Sequence, residues 1–130
     1  MNDRDFERFT GGPNVSSRGQ MHVAISPERR FYLNANTHRL LGWPAAVYLY
    51  FKRSTRTVGI QKVPPRTPDA FPVRLNTHKG AVIHAAPFLN HYSVAIDRRE
   101  RFLNPEINDE GVLLLDLTQT AIISRPRKGK

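Results

Sequence analysis

The chain has 130 residues, 39% of them hydrophobic and 24% charged, enough for one folded domain with its own core. It has no cysteine, which excludes disulfides, thiolate metal sites and cysteine nucleophiles. It also has no apolar run near the roughly 20 residues that cross a bilayer as a helix, so no membrane partner is expected. Twenty Lys and Arg against 11 Asp and Glu leave a net charge of +9, and ten prolines and eight glycines favour short strands and turns.

The positive charge is uneven. Residues 22–65 carry seven basic residues against Glu28 alone, residues 66–117 carry six against seven acids, and residues 118–130 add four with no acid. Most of the basic residues are arginines, whose planar forks suit phosphate. The partners this charge favours are nucleic acids, ahead of other anions and of a plainly solvated surface.

Taken in chain order, residues 1–21 have no apolar core and no periodicity, and are expected to be a flexible leader with a turn of helix at 5–9. Residues 22–26 alternate polar and apolar as a half-buried strand does. A tight turn at 27–30 leads to a second strand at 31–33. Asn34 or Asn36 can cap a short helix over 35–41. Gly42 suits the left-handed residue that ends such a helix, and Trp43-Pro44 forces an extended exit. Residues 46–51 are the strongest strand, followed by a polar hairpin turn at 52–56 and a returning strand at 57–61. The prolines at 64, 65 and 68 predict a stiff, extended connector.

The same order then recurs. Residues 71–75 and 81–83 are strands about a turn at 76–80, and 85–92 suits a short helix with Pro87 in its first turn. Residues 98–101 read as a charged link and 102–107 as a weak strand or loop. A turn at 108–111 leads to an apolar strand at 112–117, and 121–123 can add an edge strand. The tail from Arg125 to Lys130 is too polar to pack and is expected to be a disordered basic arm, able to touch phosphates or simply to solubilise.

Val23 and Val73, Ile25 and Leu75, and Leu33 and Ile83 are each 50 residues apart, while Leu40-Leu41 answers Phe88-Leu89 at an offset of 48. Units 22–63 and 71–117, joined by the connector 64–70, are too small to bury enough surface alone. The expected fold is mainly β: a small closed barrel built from two pseudo-repeated units, each with one short helix.

The first unit resembles the AbrB/SpoVT family of DNA-binding proteins. Arg29-Arg30-Phe31-Tyr32-Leu33-Asn34 stands where that family has Gly-Arg and an apolar strand ending in proline. Leu41-Gly42 matches its helix end, and 47–51 with 58–61 match its hairpin. The second unit shows the pattern only through 79–83 and 112–117. The resemblance implies a swapped-hairpin barrel of the cradle-loop type, and two units in one chain resemble the fused MraZ variant. It implies a monomeric pseudo-dimer or a homodimer, and DNA contacts from a turn arginine and a helix arginine, here Arg30 and Arg39 with Arg29 beside them. Arg29 replaces the glycine, Asn34 replaces the proline, and the second unit has no arginine at the matching positions.

The expected nucleic-acid-binding residues are Arg29, Arg30, Arg39, Lys52, Arg53 and Arg56. The last three crowd a hairpin tip, where charge also keeps a turn soluble. Trp43, Tyr32, Tyr48, Tyr50 and Phe51 could stack on bases, though strand spacing more often places such residues in packing. None of the five histidines has ligand spacing, and no nucleophile elbow, phosphate-cradling glycine loop or HExxH is present, so no metal, cofactor or catalytic residue is expected. The sequence therefore predicts a cytoplasmic DNA-binding protein, a transcriptional regulator or accessory factor. The alternative is a non-catalytic interaction module on the same scaffold, with its arginines facing an acidic protein partner.

Overall fold

The computed structural model describes residues 20–123. The turn of helix expected at 5–9 and the basic arm expected at 125–130 lie outside the described residues.

Alternation sets the first hairpin. In β1 (Val23–Ile25) and β2 (Arg30–Leu33), Val23, Ile25, Phe31 and Leu33 are buried, while Arg30 and Tyr32 are half-buried on the opposite face of β2. The turn between them is closed by Arg29 N donating to Ser26 O at 2.9 Å, with Arg29 at φ 66°. Asn34, rather than Asn36, caps α1 (Ala35–Leu40). Its side-chain oxygen accepts from the backbone N–H groups of Thr37 at 2.9 Å and of His22 at 3.2 Å, which ties the helix to the start of β1. The helix ends at Gly42, φ 94°, where Gly42 N donates to Arg39 O and Trp43 N to His38 O. These are the two bonds that satisfy the last carbonyls of a helix with a left-handed terminator.

A seven-pair hairpin follows, β3 (Ala46–Lys52) with β4 (Thr57–Val63). The connector is not extended. Thr67 N donates to Pro64 O and Ala70 N to Thr67 O, so it folds into two successive turns, with Arg66 and Asp69 at φ 71° and 67°. Proline fixes φ only at its own position, and the residues after each proline are free to turn.

The second half contains β5 (Phe71–Leu75), β6 (Ala81–His84) and α2 (Ala86–His91), with Pro87 in the first turn of α2. Ser93, φ 58°, ends α2 as Gly42 ends α1: Ser93 N donates to Asn90 O and Val94 N to Leu89 O. Equivalent helix bonds are thus 51 residues apart, which corrects the offset of 48 expected from the paired leucines and Phe88-Leu89. Buried His38, not Leu41, stands where Leu89 stands. A histidine can fill that core place because its Nε2 lies 3.0 Å from Pro44 O. The chain closes with β7 (Glu100–Phe102), β8 (Glu106–Ile107), β9 (Val112–Asp116) and β10 (Thr120–Ile122).

Strands take 41% of the described residues and helices 12%, so the fold is mainly β. All ten strands form one antiparallel sheet in the order β10-β7-β1-β2-β6-β5-β3-β4-β9-β8. From β10 to β4 this order is symmetric about the β2–β6 pair. The halves exchange strands across it: β7 pairs with β1, and β3 with β5. The β8–β9 hairpin breaks the symmetry by pairing along the outer edge of β4.

That hairpin also corrects the expected closed barrel. The edge of β4 that a closing strand needs is occupied, and among the described residues β10 pairs only with β7. The sheet is a curled, open half-barrel with β10 and β8 at its edges. Its inner face carries the core, with Phe31 stacked near Phe102 at 6.4 Å and Ile25, Val47, Ile60, Ile83 and Leu113 fully enclosed. Each such side chain contributes about 1.5–3 kcal/mol on burial. α2 covers one end, where Phe88 and Tyr92 pack on Phe51 at 6.4 and 4.8 Å. No helix among the described residues is long and apolar enough to cross a membrane.

Candidate nucleic-acid interface

The six arginines and lysines singled out from the sequence do not form one surface. Arg29 belongs to its turn: it is half-buried, its carbonyl accepts from Ala85 N, and its Nε is enclosed with no partner among the described residues. Arg39, exposed on α1, donates to the Asn36 side chain. Arg53 lies over the Tyr92 ring at 4.8 Å and Arg56 over Phe51 at 6.0 Å. These two guanidiniums pack on the aromatic cluster at the α2 end. Lys52 is exposed opposite Thr57 at the tip of the β3–β4 hairpin. Only Arg30 lies on the outer face of the central strands, opposite His84.

The outer face shows a different grouping. Residues paired across antiparallel strands share a face. The pairs Arg101↔Ala24, Ala24↔Tyr32, Tyr32↔Val82 and Val82↔Arg74 therefore form one continuous row over β7, β1, β2, β6 and β5. With strands about 4.8 Å apart, the two arginines at its ends stand about 19 Å from each other. Between them lie a small residue, an aromatic ring and a valine. Both end arginines are exposed.

A cleft of about 330 Å³ opens in this face near Tyr32. Its lining includes His22, Tyr32, Asn34, His78, Arg99 and Arg101, with apolar patches from Ala24, Leu33 and Ile123, and among the described residues no acidic side chain. The Arg99 guanidinium sits over the Tyr32 ring, 4.1 Å from its centroid. Glu28 is the acid next to this region. Hydrogen bonding within its own turn and then the charges of Arg30 and Arg99 hold its carboxyl below the usual range. Of the acids of the second half, Glu106, Asp109, Glu110 and Asp116 cluster about the β8–β9 hairpin at the far side of the sheet, whereas Asp97 and Glu100 lie beside Arg99 in the chain, with Glu100 paired opposite Ile25 and accepting from the Thr120 hydroxyl. Among the described residues no three His, Asp or Glu side chains converge as metal ligands would.

Arg74, Arg99 and Arg101 are the residues that sequence reasoning missed. Summed by segment, the second half is nearly neutral, and strand exchange moves its basic residues beside the first half. A signal was present: Arg99 and Arg101 are two apart, as two residues on one face of a strand are. Of the aromatic candidates, Tyr32 is the one in the cleft. Phe51 faces the core, the Tyr48 hydroxyl donates to Pro68 O, and the Tyr50 hydroxyl donates to Gln61 Oε1.

Comparison with known protein families, with curated proteins and with solved structures gave no match.

Proposed function

We propose that the protein binds nucleic acid on the outer face of the half-barrel, along the row from Arg101 to Arg74. The observation that carries this reading is the row itself: two exposed arginines flank Tyr32 and Val82, with Arg99 above the tyrosine, Arg30 in the same strand and no acid within the row. Cations at the ends of this row suit phosphates, and the apolar centre suits sugars or bases. The resemblance of the first unit to the AbrB/SpoVT family makes DNA one nucleic acid to test. This surface keeps the turn arginine Arg30 of that resemblance but not the helix arginine, because Arg39 donates to the Asn36 side chain and Arg29 is half-buried in its turn. Titration of labelled single-stranded and duplex oligonucleotides with the full chain tests the reading. Arg74→Ala and Arg101→Ala weaken binding, whereas Arg53→Ala leaves it unchanged. Equal binding by all three variants contradicts the assignment, and stoichiometric retention of an acidic protein without nucleic acid favours an interaction module instead.

A further inference from the structure

We infer that the Tyr32–Arg99 cleft is the seat of one unpaired base, so that the ligand of the outer face is a single strand rather than a duplex. The inference rests on the nucleic-acid reading above and specifies it.

Three features of the cleft point this way. Its volume, about 330 Å³, is near the lower end of the roughly 300–1,000 Å³ of ligand clefts. It therefore takes one small planar group with its phosphate, not a length of helix. Its floor is a stacking platform, because Arg99 covers Tyr32 at 4.1 Å and an arginine held over an aromatic ring offers its own outer face to a base. Its rim supplies donors for an anion, with Arg101 and the imidazoles of His22 and His78 around it and, among the described residues, no carboxylate in the lining. The Asn34 amide is spent on the fold: its oxygen accepts from His22 N and Thr37 N, and its Nδ2 donates to Gln20 O. Recognition falls to the stack and the cations. A paired base has both neighbours of its stack in place and cannot enter without unstacking.

The experiment compares three labelled probes of about 12 nucleotides, within the span of about 4–16 that a small β groove covers. They are a mixed-sequence single strand without hairpins, an abasic strand of the same length, and the matching duplex. Fluorescence anisotropy at constant salt reads their affinities for the full chain. The wild type binds the base-bearing strand about tenfold more tightly than the abasic strand, as one stacked base provides. It also binds that strand more tightly than the duplex. Tyr32→Leu and Arg99→Gln abolish the preference over the abasic strand, while Arg74→Ala weakens both strands equally. The first comparison uses unaltered protein and holds even if a variant fails to fold. Equal affinity for base-bearing and abasic strands, or tighter binding of the duplex, overturns the inference and leaves the general nucleic-acid reading standing. A free mononucleotide binding as tightly as the strand overturns it too. No binding of any probe overturns both.

Discussion

Arg29 and Lys79 hold the same place in two turns fifty residues apart. Each has φ 66°, and each donates its N–H back across the turn, Arg29 to Ser26 O and Lys79 to Asn76 O. A left-handed residue with a side chain is strained by roughly 1–2 kcal/mol, and glycine removes most of that strain. Lys79→Gly is therefore expected to stabilise the fold by up to about 1 kcal/mol, and Lys79→Val to destabilise it by about 1–2 kcal/mol, since β-branched residues tolerate this region least. Urea unfolding measures both.

The residue after that lysine is constrained differently. A Cβ built on Gly80 comes 2.7 Å from the Leu33 carbonyl oxygen, which is backbone and cannot move aside. Gly80→Ala is expected to cost about 1–3 kcal/mol, as overpacking does, and to disturb the β2–β6 pairing at Leu33↔Ala81. Gly111, φ 79° with nothing near its Cβ position, is the control. Gly111→Ala costs only the backbone strain, about 1 kcal/mol. Amide hydrogen exchange across β2 and β6 separates the two effects.

The β8–β9 hairpin adds to the core as well as covering the β4 edge. Leu113 is fully buried opposite Ile60, whereas Leu114 faces outward opposite Gly59. Leu113→Ala is expected to cost about 2–5 kcal/mol and Leu114→Ala under about 1 kcal/mol, by thermal or urea unfolding. A reversed order would mean that β9 sits one residue out of register.

Acid unfolding has a local contributor at the end of the same hairpin. The Asp116 carboxylate accepts from the Thr118 hydroxyl at 2.6 Å and from its backbone N–H at 2.8 Å, which holds its pKa below the ordinary 3.8. Its folded pKa lies below its unfolded one, so its stabilisation is fully present above about pH 4 and fades as the pH falls through the folded value. The wild type is therefore expected to exceed Asp116→Asn in stability at pH 7, and the gap to close as the solution is acidified below pH 4. Urea midpoints across that range check the trend.

Much of the scaffold is legible from local pattern. Residues 46–51 and 112–117 are short apolar runs bounded by turn residues, as buried strands are, and Leu41-Gly42 marks a helix end whose φ of 94° needs glycine. The rest depends on partners distant in sequence. Residues 98–101 look like a charged link because all four are ionisable, and Glu100–Phe102 becomes a strand only through β1 on one side and β10 on the other. The open edge was hidden for the same reason: nothing in residues 106–116 says that their hairpin pairs with β4. The basic face was hidden because charge summed along the chain cannot register an exchange of strands between halves.

The central claim is that Arg74 and Arg101 carry phosphate contacts on one face. The most direct test is the salt dependence of affinity for a single-stranded oligonucleotide, compared between the wild type and Arg74→Ala/Arg101→Ala. Each phosphate contact on a single strand contributes about 0.7 to the slope of log affinity against log salt. The double variant is expected to show a slope shallower by about 1.4, with thermal unfolding unchanged. An unchanged slope, or a wild type that binds no nucleic acid at low salt, contradicts it.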